Sequence, residues 1–167
     1  MRTFTTWSDK IHDRDGVAQV VYSVAFKPDG TQLLAAAGAQ VLVYKTADGE
    51  LIQSLKGHKD TVYCVDFAAD GTRFASGGAD KTVIIWSQNL DAVLKYTHSD
   101  HIQAIAHNPV TGQVASCSAS DFGLWSSEQT NVTKYKVGGG VTSVLRFSRE
   151  ANAHQLYHDP ADAIENF

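Results

Sequence analysis

The chain is poor in cysteine, proline and methionine, with two, three and one of them in 167 residues. Two cysteines are too few for a disulfide framework. Both, Cys64 and Cys117, fall inside apolar strand-like runs, where a reduced thiol behaves as a small buried hydrophobe. So little proline beside 43% apolar residues excludes fibrous and disordered classes and leaves an ordinary packed domain. An excess of one charge is lacking as well. The 14 basic and 18 acidic residues are scattered and the formal net charge is -4, so neither a nucleic-acid backbone nor an anionic membrane is implied as a partner. No apolar run nears the ~18 to 20 residues of a membrane span, and MRTFTTWSDK has no continuous apolar stretch of the secretory kind. An intracellular, cytoplasmic protein with no direct membrane insertion is expected.

What the chain does have is repetition. VYSVAFKPDG from Val21 to Gly30 returns as VYCVDFAADG from Val62 to Gly71 and as IQAIAHNPVTG from Ile102 to Gly112, at offsets of 41 and 40 residues. A fourth copy, VTSVLRF, begins at Val141, 39 residues further on. A period near 40 with four short strands per unit is that of a propeller blade. The second unit shows the events most clearly: a strand at 61–67, an Asp-Gly turn, a strand at 73–77, and a tight turn around Ala79, Asp80 and Lys81. A third strand then ends in Trp86 and a fourth in Tyr96. An aromatic closes the third strand of each unit: Tyr44, Trp86 and Trp125. The expected fold is all-β: three antiparallel blades and part of a fourth, an incomplete ring, followed by a short helical tail. The expected boundaries are a leader or strand at 1–15 and blades at 16–56, 57–96 and 97–136. A partial blade at 137–147 and a divergent tail at 148–167 follow.

The pair Gly57-His58 followed by ASGGADKTVIIW, Ala75 to Trp86, resembles a WD40 repeat, with Ser87 where the signature closes on Asp. Units one and three resemble degenerate copies that lack the Gly-His pair and the full tight turn. The resemblance implies that the histidine is structural: His58 pairs with the turn Asp80 and continues to Ser76 and Trp86. Such a network is favoured because a buried polar group left unpaired costs ~1 to 3 kcal/mol, and an imidazole can bridge a carboxylate and a hydroxyl.

Reactive readings of the same residues are weaker. A Ser/His/Asp catalytic set needs an exposed nucleophile with oxyanion donors, and no Gly-x-Ser-x-Gly elbow occurs. His98, His101, His107 and Cys117 do not converge as paired Cys-x-x-Cys or His-x-x-x-His zinc ligands do, and read as surface or blade-junction residues. His154 and His158 lie four apart without a second ligand pair. KVGGG, Lys136 to Gly140, precedes a strand and lacks the following Lys-Ser/Thr of a phosphate cradle. Asp121-Phe122-Gly123 has no other kinase signature beside it and reads as strand, not as a magnesium site. No catalytic residue, metal, cofactor or small-molecule substrate is expected.

A narrower resemblance lies in WSDKIHDRD from Trp7, AFKPDGTQL from Ala25, KGHKDTVYCV from Lys56 and SCSASDFGLWS from Ser116. Together these are similar to the start of the intraflagellar transport protein 122 family, WD-repeat subunits of the ciliary IFT-A complex, from Met1 to about Val137. The resemblance implies a non-enzymatic adaptor in retrograde ciliary transport, cilium assembly and ciliary protein targeting. IFT-A components and ciliary cargo would be its partners, and the cilium and its basal body its location. A generic WD40 recognition module and a non-functional truncated fragment are the alternatives. Three blades and a strand are fewer than the ~4 to 8 that close a ring, so marginal stability is expected for the chain alone. TFTTW, Thr3 to Trp7, is a candidate outer strand for a closing blade, and REANAHQLYHDP, Arg149 to Pro160, a candidate short helix.

Overall fold

Short runs rich in apolar and β-branched residues, separated by turn residues, produce twelve short strands in the computed structural model, which describes residues 6–13 and 15–137. Strands β1 (Val21–Phe26), β2 (Gln32–Ala37), β3 (Gln40–Lys45) and β4 (Leu51–Lys56) form the first sheet. Strands β5 (Val62–Phe67), β6 (Arg73–Gly78), β7 (Thr82–Ser87) and β8 (Ala92–Thr97) form the second. The third holds β9 (Ile102–His107), β10 (Val114–Ser118), β11 (Asp121–Trp125) and β12 (Thr133–Lys136). Each is an antiparallel meander in sequence order: three consecutive blades of a propeller, open rather than closed into a ring. The strand at Val141–Phe147 and the helix at Arg149–Pro160 expected from sequence lie outside the described residues.

The blades repeat in detail as well as in outline. The first pair of strands slips register at the same place each time, between Val21 and Ser23, between Val62 and Cys64, and opposite Cys117 and Ser118. An extra residue there sharpens the right-handed twist a blade needs. Between the first and second strands the turn carboxylate of Asp70 accepts the Thr72 N–H at 2.9 Å and its hydroxyl at 2.9 Å, as Asp29 does for Thr31. Gly71 sits at φ +68, a left-handed conformation at little steric cost only for glycine.

The core lies between the blades. Leu34, Val41, Val43 and Leu55 of the first meet Val62, Val65, Phe74, Ile84 and Trp86 of the second. Val83 and Ile85 then meet Ile102, Ile105, Val114 and Trp125 of the third. A Cβ at Gly77 would lie 2.5 Å from Ile102 Cγ2, so glycine there lets the third blade approach the second. On the other face of the first blade the leader forms a third cluster, with Trp7 and Ile11 covering Ala35, Leu42 and Tyr44. Trp7 stacks on Tyr44 at 5.7 Å and donates its indole N–H to Thr46 O at 2.9 Å. It is therefore a cover for the first blade and not part of a strand; the remaining residues of the TFTTW candidate, apart from Thr6, lie outside the described residues.

The same repeat positions on that face are unevenly covered. Val62 and Val65, like Ile102 and Ile105, are at most 8% exposed, whereas Val21 and Val24 are 43% and 57% exposed.

Candidate functional site

His58 stands on the loop between β4 and β5, Ser76 in the middle of β6, Asp80 in the tight turn before β7, and Trp86 near the end of β7. Blade geometry brings all four together. His58 Nδ1 lies 3.0 Å from Asp80 Oδ1, and His58 Nε2 lies 2.8 Å from Ser76 Oγ. The Trp86 indole N–H donates to the same Oγ at 2.8 Å. Asp80 also accepts the Lys59 N–H at 2.9 Å and the Thr82 N–H at 3.1 Å. A carboxylate only accepts and an indole N–H only donates, so the order that leaves every proton paired runs from Trp86 N–H to Ser76, from Ser76 O–H to His58 Nε2, and from His58 Nδ1–H to Asp80. This order pairs every proton in the network, and burial, which lowers the His58 pKa, favours the neutral ring it requires.

The third blade holds a second network that the sequence reading did not assign. His98 Nδ1 lies 2.8 Å from Asp121 Oδ1, and its Nε2 lies 2.9 Å from Ser116 Oγ. Asp121 also accepts from the Ser99 N–H at 3.1 Å, the Ser99 hydroxyl at 2.8 Å and the Ser118 hydroxyl. The His98 side chain is buried, not on the surface. The signal was present in the spacing: His98, Ser116 and Asp121 follow His58, Ser76 and Asp80 by 40, 40 and 41 residues. The missing glycine before His98 and the altered turn obscured it.

The aromatic corner differs between blades. Trp125 is buried, but its indole N–H donates to Gln129 O at 3.2 Å, and Ser116 is instead bonded by the Tyr96 hydroxyl from the neighbouring blade at 2.8 Å. In the first blade Tyr44 is also buried, and its hydroxyl donates to Asp9 of the leader at 2.7 Å. The three strand-ending aromatics thus have three different polar partners.

Electrostatics follows from burial. Loss of water around His58 and around His98 lowers each imidazole pKa, against the opposing pull of Asp80 and of Asp121. Burial pushes the Asp80 carboxyl up, but the Lys59 N–H and the His58 ring pull harder and leave it lowered. Asp121 behaves likewise: the Ser118, His98 and Ser99 donors outweigh burial and hold it well below the usual carboxylate range. Burial pushes the Cys64 thiol up to about 12 and that of Cys117 up to about 11, so both are protonated at neutral pH. Ser76 and Ser116 have no exposed surface, so no substrate can reach either hydroxyl. Among the described residues no group of three or more His, Cys, Asp or Glu is placed to hold a metal ion. The other histidines divide: the His101 side chain is 57% exposed, whereas that of His107 is 2% exposed and bonded to Asp66 of the second blade.

Residues 20–154 match the family described as the IFT122 first beta-propeller. The chain belongs to this family. Relatives include the intraflagellar transport protein 122 homolog of Xenopus tropicalis, 64% identical over 142 residues, and that of Danio rerio, 63% identical over 142 residues. Both alignments cover 85% of this chain and 12% of the relative, so this IFT122-family chain spans about an eighth of the length of those proteins. A solved structure, that of U3-55K, superposes with a TM-score of 0.69 at 21% identity, covering 74% of this chain and 41% of that one. At that identity the likeness shows the WD40 propeller fold alone. The IFT122-family chain is thus a WD-repeat, β-propeller protein.

Proposed function

We propose that the chain is a non-enzymatic scaffold in intraflagellar transport, contributing the first blades of an IFT122-type propeller to the IFT-A complex. Its partners in this reading are other IFT-A subunits and ciliary cargo, and it acts in the cytoplasm, at the basal body and in the cilium, in retrograde transport and ciliary protein targeting. The observation that carries the reading is identity above 60% to IFT122 homologues over 85% of the chain. The buried networks support its non-enzymatic side. His58 and His98 have both ring nitrogens engaged, and each serine beside them is sealed from solvent, so these groups maintain blade geometry rather than react. Blades at 16–56, 57–96 and 97–136 would present the partner surface on their loops and outer edges.

Tagged chain expressed in ciliated cells tests this directly. Co-purification of IFT-A subunits with enrichment at basal bodies or cilia is the expected result. A stable, folded chain that does neither refutes the ciliary role. Hydrolase or transferase activity lost on His58→Ala would refute the non-enzymatic one.

A further inference from the structure

The loops joining the first two strands of the second and third blades enclose a cavity of about 140 Å³, walled by Thr72, Arg73, His107, Thr111, Trp125 and Ser127 among others. One buried polar atom on this wall lacks a partner among the described residues, and a guanidinium stands beside it. His107 Nε2 is buried and bonds to nothing in the structure, and the His107 side chain is only 2% exposed. The half-buried Arg73 guanidinium lies 5.7 Å from the centre of the Trp125 ring, yet no carboxylate or carbonyl among the described residues accepts a hydrogen bond from it. Buried polar groups are nearly always satisfied, so the His107 Nε2 orphan, on a cavity wall that also carries a guanidinium, calls for an occupant.

The repeat makes the histidine more telling. His107 ends β9 where Phe26 ends β1 and Phe67 ends β5. The fold therefore accepts an apolar ring at this position, and packing does not require imidazole. Its tautomer follows from Asp66, whose Oδ2 accepts both the His107 backbone N–H at 2.7 Å and the ring Nδ1–H at 3.0 Å. In the neutral ring Nε2 then carries only a lone pair and needs a donor, whereas Arg73 needs an acceptor. A carboxylate supplies only the second. It would also be a third negative charge near the two that face this site, Asp66 against the ring and Asp70 on the cavity wall, with Arg73 the one cation among the described lining residues. A carboxamide supplies both, with its carbonyl toward the guanidinium and its N–H toward the imidazole.

We infer that this cavity is a recognition pocket for an asparagine or glutamine side chain of a protein partner. The inference stands whether or not that partner belongs to IFT-A. Propionamide and propionate, which differ only in the head group, are the probes. They are titrated into the ¹⁵N-labelled chain while the Trp125 indole and Arg73 side-chain resonances are followed. Propionamide shifts both, saturating below about 100 mM as suits so small a ligand, and propionate does so at least about tenfold more weakly. His107→Phe installs the residue the repeat carries elsewhere; it retains native signal dispersion and loses about tenfold or more in propionamide affinity. Arg73→Met, at a half-buried position, causes the same loss. Equal or tighter binding of propionate overturns the proposal, as does unchanged binding in either folded variant. Shifts that never saturate overturn it too, since the cavity then holds only water.

Discussion

Ser76→Ala removes one oxygen from the middle of the second blade and strands two groups. The Trp86 indole N–H and His58 Nε2 each lie 2.8 Å from Ser76 Oγ, and no other partner among the described residues is bonded to either atom. Each orphan costs ~1 to 3 kcal/mol, but the two losses share one hydroxyl and are not independent, so ~2 to 4 kcal/mol is expected in all. Against a domain stability of ~5 to 15 kcal/mol that is a large fraction. Urea unfolding followed by tryptophan fluorescence measures it by linear extrapolation. Thr133→Ala, on the exposed β12, should stay within about 0.5 kcal/mol and serves as the reference. A double-mutant cycle with His58→Ala should show a coupling of at least about 1 kcal/mol, since both changes break the same bond. A loss below about 0.5 kcal/mol for Ser76→Ala, or additive behaviour in the cycle, would show that the network does not bear on stability.

His98→Ala should cost ~1 to 3 kcal/mol, comparable to His58→Ala, although the third blade departs from the repeat signature; a value near zero in the same unfolding assay contradicts an equivalent role. Trp86→Ala should cost ~3 to 5 kcal/mol because its ring fills the space between the first and second blades, and a smaller loss argues against that packing. The folded-state pKa values of His58 and His98 lie below the unfolded value near 6.5, so the unfolded chain takes up protons first as pH falls. Stability is therefore full above about pH 6.5 and declines below it, by up to ~1.4 kcal/mol per pH unit for each ring; equal unfolding midpoints at about pH 7.5 and 5.5 contradict this. Trp7→Ala should release the leader from Tyr44 and Thr46 and cost ~1 to 2 kcal/mol, with faster proteolysis before Gly16 as the second readout. Unchanged cleavage there would mean the leader is held by something else.

Much of the fold is legible in the chain itself, because a blade is local. Its strands pair with sequence neighbours, so turn residues and alternation fall at regular offsets, and the period near 40 identifies the architecture. The bonds around His58 are local in the same sense, since Ser76, Asp80 and Trp86 all belong to its own meander. The equivalent set around His98 obeys the same offsets but is hidden where the Gly-His pair is lost.

Contacts that cross from one blade to the next obey no such rule. Tyr96 reaching Ser116 and Asp66 holding His107 join residues at non-equivalent positions of adjacent units, and Trp7 covering Tyr44 joins the leader to a blade. The sequence alone determined the repeat, the strands and the family. Tertiary structure decided which aromatic completes each network, how the leader covers the first blade, and that His107, with its Nε2 bond unmade, meets one cavity beside Arg73. The physical reason is that strand pairing within a blade is dictated by pleat and turn. The side chains that meet between blades depend on how two twisted sheets stack, and that is settled only when the whole array packs.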